Sequence, residues 1–231
     1  MSQTPVLDED GDLSDGLAKA VDGGLELDGK TRMILTAEAL FAEGGINGVS
    51  MREIAAKAGQ GNHFAVQYHF GSREGLVEAI FDYRMEQMEP IRARMLDEAE
   101  AKGRLSDART LLDMIYLPQL ELPNGAGHGS YARFLSQYLM RSHSHRFGDF
   151  GTVAHVQLGR IFELLRARLA YLPEDVAQRR LVTASFMFLA ILARHESFEN
   201  RAPGEEDFEA ALHDTIDQIV SCVCAPLRLA N

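Results

Sequence analysis

From Thr31 onward, the apolar residues of the chain recur at helical spacing. Met33, Ala37 and Phe41 are four residues apart, and Ile34 and Leu40 lie beside them on the same face. The run stops at the glycine pair 44–45, which is typical of a helix C-terminus. This pattern predicts a first helix over residues 31–44.

The next segment, "VSMREIAAKAG", carries two start signals of a second helix. Ser50 and Glu53 have the spacing of a capping box, in which each side chain bonds the backbone amide of the other residue. Val49 and Ile54 flank the box at the spacing of a hydrophobic staple. We therefore expect a short, sharply bounded helix that begins after Ser50.

Residues 58–70, "AGQGNHFAVQYHF", follow without a spacer. The glycines around Gln60 break the second helix, and Asn62 is a good N-cap for a third helix over residues 63–70. The inner residues of that helix are predicted to be Ala65, Val66 and Phe70. The outer residues are predicted to be His63, Phe64, Gln67 and Tyr68. Two short helices joined by a glycine turn, after a longer one, are the layout of a helix-turn-helix.

The remaining pattern is helical as well. Gly71 and Ser72 end the third helix and cap a fourth that continues past Pro90 to about residue 100, and Ser106 is predicted to cap a fifth. Residues 122–130 form a loop by composition. Further helices are predicted over residues 129–143, 150–171, 174–198 and 205–225. Alternating β-branched runs do not occur, so the sequence predicts an all-α fold: a three-helix head with a helix-turn-helix, and a larger helical domain.

The composition bears on membrane association and on the cellular compartment. The 231 residues are 46% hydrophobic, and the sequence contains neither a signal peptide nor an apolar stretch long enough to span a membrane. Cys222 and Cys224 point to different faces of a helix, so we expect two buried thiols and no mutual disulfide, as in a cytoplasmic protein. We expect no membrane partner.

The charge of the chain is unevenly distributed. The formal net charge is -11, but residues 1–29 hold eight acids and one base, whereas residues 30–75 hold five bases and four acids. We interpret residues 1–29 as a disordered acidic leader, residues 30–75 as the domain that contains the helix-turn-helix and residues 76–231 as the larger helical domain. The head is therefore close to neutral.

Residues 31 to about 82 resemble the DNA-binding head of the TetR-type bacterial transcription regulators. The segments "ILTAEALFAEGGINGVSMREIAAKAG" and "YHFGSREGLVEAIF" carry the resemblance. The turn between helices two and three is one residue longer here than is usual in that family. Gln67 therefore stands where the family normally has tyrosine, and Tyr68 follows it.

The major groove of DNA admits a helix and presents a distinct donor and acceptor pattern for each base pair. We expect Gln60, Asn62, His63 and Gln67 to contact base edges, and Phe64 to contact a thymine methyl group. Residues at helix starts and nearby bases suit phosphate; these are Lys30, Arg32, Ser50, Arg52, Ser72 and Arg73. The resemblance implies further phosphate contacts by Tyr68 and His69.

The resemblance also implies that the larger domain binds a small-molecule effector and forms a homodimer. Two apolar stripes near the end of the chain fit a dimer contact, although they fit an intrachain core as well. The first consists of Ala184, Phe188, Ile191 and His195, and the second of Phe208, Leu212, Ile216, Ile219 and Val223. No ligand is predicted. Eight residues fit an effector pocket, but such positions more often belong to a plain core: Met88, Met114, Phe134, Tyr138, Met140, Phe162, Phe186 and Met187.

The sequence bears on two other classes of function, an enzyme and a protein-interaction module. The sequence has no G-x-S-x-G, P-loop or H-E-x-x-H pattern, so we expect neither an enzyme nor a cofactor. His143 and His145 lack a third ligand at metal spacing, and we expect no metal. A helical-bundle protein-interaction module without sequence-specific DNA binding stays open as the alternative. The favoured function is a ligand-released repressor that binds a near-palindromic operator in double-stranded DNA as a dimer.

Overall fold

The computed structural model describes residues 27–122, 128–141, 155–194 and 207–227, and these segments are all-α. A 3₁₀ turn, Leu117–Glu121, follows the fifth helix. Over the described residues the helices are α1 (Gly29–Gly44), α2 (Met51–Lys57), α3 (Ala65–Phe70), α4 (Arg73–Ala101), α5 (Ala108–Tyr116), α6 (His128–Arg141), α7 (Val156–Arg168), α8 (Glu174–Ala193) and α9 (Phe208–Cys224). The predicted fold class is confirmed. Residues 1–26 lie outside the described residues, so the acidic leader stays a prediction.

Helix α1 begins two residues earlier than predicted because Asp28 caps it. The Asp28 carboxylate accepts hydrogen bonds from the Thr31 amide at 2.8 Å and from the Thr31 hydroxyl at 3.1 Å. These bonds, the amide bond first, hold the pKa of Asp28 below its usual value. The helix ends where predicted, at Gly45, whose φ of 78° suits only glycine without strain.

Helix α2 begins after Ser50, as predicted, but only half of the capping box forms. The Ser50 hydroxyl oxygen accepts a hydrogen bond from the Glu53 amide at 3.1 Å. The Glu53 carboxylate instead lies 3.8 Å from Lys57 Nζ, one helical turn on. Val49 and Ile54 are both buried in the core of the head.

Helix α4 connects the head, formed by α1–α3, to the body, formed by α5–α9. It continues through Pro90, as predicted, and is capped by Ser72, whose hydroxyl oxygen accepts from the Gly75 amide at 3.0 Å. A buried ion pair ties it to α1, with Arg84 Nε 2.7 Å and Arg84 Nη2 2.9 Å from the two carboxylate oxygens of Glu38. This bidentate geometry fixes the angle at which α1 meets α4.

The predicted cap of α5 is wrong by one residue. Asp107, and not Ser106, caps the helix, because its carboxylate accepts from the Thr110 hydroxyl at 2.7 Å and from the Thr110 amide at 3.3 Å. These bonds lower the pKa of Asp107, with the hydroxyl bond as the largest cause. The helix then tightens into the 3₁₀ turn that contains Pro118 and does not run on to residue 122.

The two apolar stripes assigned to a dimer contact lie mostly inside the chain. Helices α8 and α9 pack against each other, and Ala184, Phe188, Ile216, Ile219 and Val223 are buried between them and their neighbours. The interpretation of these stripes as the dimer surface is therefore wrong for the buried positions. The reason is that a core helix and a dimer helix show the same apolar period. His195 lies outside the described residues.

Helix α8 is long and apolar enough to cross a membrane by length and composition. In this fold it packs against α6 and α9, and it contributes Leu189 and Leu192 to the core. The core helix of a globular domain passes the same test. Cys222 and Cys224 carry free thiols but are only half-buried, so their predicted burial is wrong.

Candidate nucleic-acid interface

The turn before α3 is built by glycine and asparagine. Gly59 has a φ of 69°, and the Asn62 side-chain oxygen accepts from the Phe64 amide at 2.9 Å. The Asn62 carbonyl accepts from the Ala65 amide at 3.0 Å. Because these bonds close a turn first, α3 begins at Ala65 and not at His63 as predicted. The helix therefore has six residues, and His63 and Phe64 belong to the turn.

The inner side of α3 anchors it to the head. Ala65 and Val66 are buried, and Phe70 is half-buried against the same core. Gly71, with a φ of 72°, ends the helix, and its amide donates to the Gln67 carbonyl at 3.0 Å. The predicted inward residues and the predicted end of the helix are confirmed.

The outer flank of α3 faces solvent with aromatic and polar side chains. Phe64 is 75% exposed and Tyr68 is 84% exposed, and His63, Gln67 and His69 are exposed as well. The Tyr68 ring meets the His69 ring edge to face at 5.2 Å between centroids. The Gln67 amide donates to the carbonyl of Gly71, so it must turn outward to contact a base. Two large rings in water, one on the turn before α3 and one on α3 itself, indicate a contact surface.

The start of α1 lies beside this flank. Lys30 Nζ lies 6.0 Å from the centroid of the Phe70 ring, and the half-buried side-chain amide of Gln60 lies next to Gly29. Arg32 is half-buried and donates from Nη1 to the Leu27 carbonyl at 3.3 Å. Lys30 is exposed, and in the described part of the chain it forms no ion pair. The structure thus brings the Lys30 ammonium to the edge of α3, near Phe70.

Exposed serines cap the starts of α2 and α4. Ser50 and Ser72 are exposed at these two starts, and each hydroxyl oxygen accepts one amide hydrogen of its own helix. Arg52 is exposed on the first turn of α2, with no ion pair among the described residues. Free amides and the positive end of a helix dipole attract anions, and phosphate is the anion that DNA presents.

Arg73 occupies an internal position that the sequence did not predict. Its Nη1 atom donates to the Ile46 carbonyl at 2.6 Å and to the Val49 carbonyl at 2.5 Å. The guanidinium also lies 6.0 Å from the centroid of the Phe41 ring. Arg73 therefore braces the loop between α1 and α2, and its phosphate contact stays a prediction.

Sequence reasoning missed the residues that hold the head to α6. The Gln137 amide accepts from the Ile46 amide at 2.9 Å and donates to the Phe41 carbonyl at 2.8 Å. Arg141 Nη1 donates to the Asn47 side chain at 2.6 Å. We call Gln137 and Arg141 the head clamp. No local signal marks them, because their partners are about ninety residues away in sequence.

The body contains a small cavity of about 50 Å³, measured as the space open to the centre of a water molecule. Helices α4 to α8 and the 3₁₀ turn line it. Phe162 alone of the eight proposed pocket residues does so. Met88, Met114, Phe134 and Tyr138 are plain core, whereas Met140 is exposed and Phe186 and Met187 are half-buried. The preferred interpretation of these positions as plain core is therefore confirmed for Met88, Met114, Phe134 and Tyr138. His143 and His145 lie outside the described residues.

Residues 34–80 match the family model described as bacterial regulatory proteins, tetR family. The match begins in α1, contains α2 and α3, and ends in α4. It confirms the resemblance seen in the sequence and identifies the head as a TetR-type DNA-binding domain.

Two solved structures are similar to the chain. AibR, in complex with isovaleryl coenzyme A and operator DNA, is 18% identical over 87% of this chain and 100% of that one, with a TM-score of 0.42. A TetR family transcriptional regulator from Vibrio parahaemolyticus is 18% identical over 82% of this chain and 97% of that one, with a TM-score of 0.37. No curated protein matches the chain.

Proposed function

We propose that this TetR-type, DNA-binding transcription regulator is a dimeric repressor that a small molecule releases from its operator. The observation that carries the DNA contact is the outer flank of α3 and of the turn before it. There Phe64 and Tyr68 are exposed to solvent, while the other side of α3 is anchored in the core. A helix of this size fits the major groove, and the exposed side chains then meet base edges.

The residues divide into two roles. His63, Phe64 and Gln67 lie on the outer flank and contact base edges in this proposal, and Asn62 and Gln60 contribute from the turn. Phosphate contacts come from exposed groups around the flank; these are Lys30, Ser50, Arg52, Tyr68, His69 and Ser72. Arg32 and Arg73 are half-buried and bonded to carbonyls, so their contribution to phosphate binding is smaller.

Two helices support a link between the cavity and the head. Helix α4 lines the cavity with Phe81 and begins beside α3. Helix α6 lines the cavity with Leu135 and Leu139, which alternate along the helix with Gln137 and Arg141 of the head clamp. A ligand that moves α6 by part of a turn would also move the loop between α1 and α2. Such rigid shared elements are how binding at one site biases another.

The homodimer is proposed through the outer side of α8. Thr183 and Ala190 are exposed and Phe186 is half-exposed, and their spacing places them on one stripe that faces away from the core. Two heads in such a dimer would reach half-sites about 34 Å apart or a multiple of it, so the operator is a near-palindrome. Phe186→Glu is expected to give monomers by light scattering, and a wild-type monomer at micromolar concentration contradicts the dimer.

The DNA contact is tested with duplexes selected from a random library and fluorescence anisotropy. Tyr68→Ala is expected to weaken binding about tenfold while unfolding free energy stays within about 0.5 kcal/mol of wild type, because the side chain touches little else. Tyr171→Ala is the matched control, since Tyr171 is exposed in the body and donates to the Cys224 carbonyl at 2.7 Å. Equal affinities for the two variants contradict the proposed flank.

Two further variants separate the roles. Arg52→Ala is expected to weaken binding to all duplexes alike and to reduce the slope of log affinity against log salt by about one. Gln67→Ala is expected to change preference at particular base pairs. Identical sequence profiles for these variants would contradict the division. If the chain binds no duplex at low salt while its fold is intact, the helical-bundle interaction module becomes the better interpretation.

A further inference from the structure

A buried arginine in the cavity lacks a full set of partners. Arg92 is 1% exposed, and its Nε atom has no hydrogen-bond partner. Its terminal nitrogens lie 3.7–3.8 Å from the sulfur atoms of Met85 and Met88, which are weak acceptors, and 3.5 Å from a carboxylate oxygen of Glu89.

Glu89 is engaged elsewhere. Its carboxylate accepts from the Gln157 amide at 2.7 Å and from the Leu158 amide at 3.2 Å, at the start of α7. These bonds are shorter than its contact with Arg92, so they hold the carboxylate toward α7. The cation is left with a weak counter-ion in an apolar setting.

Such an arrangement costs free energy unless a ligand completes it. Burial disfavours the charged form and lowers the pKa of Arg92, yet a guanidinium in a protein stays protonated. A buried, unpaired donor loses its bonds to water and gains nothing in return. The chemical complement of a guanidinium edge is a carboxylate.

A second polar group lines the same cavity. The side-chain oxygen of Gln119 is buried and has no hydrogen-bond partner. A ligand hydroxyl can donate and accept, so it complements the amide in either orientation. The hydroxyls of Tyr116 and Ser185 also line the cavity and lie 3.4 Å from each other. The rest of the wall is apolar, with Leu135, Leu158 and Phe162 among its members.

The volume sets the size of the ligand. A water molecule needs about 10–15 Å³ of such space, so about 50 Å³ holds roughly four waters, or a solute with a backbone of three or four carbons. We propose that the cavity binds a short-chain hydroxycarboxylate, with its carboxylate on Arg92 and its hydroxyl on Gln119. This inference rests on the proposed function in treating the cavity as the effector site.

The ligand chemistry is tested by calorimetric titration of the full chain without DNA. The probes are 3-hydroxybutyrate, butyrate, which lacks the hydroxyl, and 1,3-butanediol, which lacks the carboxylate. We expect 3-hydroxybutyrate to bind one per chain, butyrate to bind several-fold more weakly, and the diol to bind about tenfold more weakly or not at all. Equal binding of the diol and the acid, or no binding of 3-hydroxybutyrate at millimolar concentration, overturns the proposal.

Variants assign the two contacts. Arg92→Met is expected to lose binding of both acids about tenfold or more, and Gln119→Leu is expected to remove the preference for 3-hydroxybutyrate over butyrate. Arg94→Met is the matched control, because Arg94 is exposed on the same helix and pairs with Glu121 at 2.8 Å. Wild-type affinity in Arg92→Met, or loss of affinity in Arg94→Met equal to that in Arg92→Met, overturns the assignment.

The outcome is independent of the DNA-binding proposal. Circular dichroism shows whether each variant is folded, and the wild-type ligand series decides the chemistry even if Arg92→Met does not fold. A chain that binds 3-hydroxybutyrate but no duplex keeps this inference and loses the proposed function. A chain that binds its selected duplex but none of the three probes keeps the proposed function and loses this inference.

Discussion

Gln137 is the residue whose replacement most directly tests how the head is held. One side-chain amide spans two backbone groups of the head, accepting from Ile46 and donating to Phe41. Gln137→Leu keeps the approximate size of the side chain and removes both bonds. The two backbone groups respond differently, because the Phe41 carbonyl also accepts from the Gly45 amide at 3.0 Å and so keeps a partner.

The cost follows from this asymmetry. A hydrogen bond contributes about 0.5–1.5 kcal/mol net, and a buried donor left without a partner costs about 1–3 kcal/mol. The free-energy cost at the Phe41 carbonyl is therefore the smaller one. The cost at the Ile46 amide, which is in a half-buried position, is the larger one. We expect the free energy of unfolding to fall by about 2 kcal/mol, measured by urea denaturation with an unchanged slope.

A site-specific measurement separates this mechanism from general destabilisation. Hydrogen exchange at the Ile46 amide is expected to accelerate more than at other amides of the head, because Gln137 is its acceptor. Ser136→Ala is the matched control, since the Ser136 hydroxyl donates only to the Ala132 carbonyl within α6. A loss below about 0.5 kcal/mol in Gln137→Leu, or an equal loss in Ser136→Ala, would refute the reasoning.

Three further predictions concern other contacts of the fold. Arg73→Met is expected to lower the free energy of unfolding by about 2 kcal/mol in urea titrations, because two carbonyls of the head lose a charged donor; an unchanged midpoint would contradict its bracing role. Glu38→Gln is expected to cost about 3 kcal/mol in free energy of unfolding, because it removes the carboxylate charge that pairs with buried Arg84 at 2.7 Å. In thermal unfolding, the double variant Glu38→Leu, Arg84→Met should recover most of that loss, and no recovery would count against the pairing argument. Asp107 has a lowered pKa in the fold, so its contribution to stability is present above the unfolded pKa of about 3.9 and is lost as the pH falls through the lower, folded value. The urea midpoints of wild type and Asp107→Asn should therefore differ at neutral pH and approach each other as the pH is lowered below the unfolded pKa. A difference that stays constant over that range would argue against this contribution.

The helix-turn-helix could be predicted because its signals are local. The Ser50 cap of α2 and the Ser72 cap of α4 act over three residues, and Gly71 ends α3 at the residue where it stands in the sequence. The start of α3 and the cap of α5 were misplaced by one or two residues. At α5 two neighbouring side chains, Ser106 and Asp107, can cap the same amides, and the sequence does not show which one does so. At α3 the Asn62 side chain closes a turn before the helix begins.

The sequence by itself determined the helical periods, most of the helix ends and the outward flank of α3, because each depends on bonds between residues at most a few positions apart. Only the tertiary structure determined which groups Arg73, Gln137 and Arg92 contact. Arg73 bonds carbonyls 24 and 27 residues away, and Gln137 bonds groups 91 and 96 residues away. The apolar stripes of α8 and α9 likewise became core only through their mutual packing. A periodic pattern shows which side of a helix is apolar, but the identity of its neighbour depends on how distant segments pack.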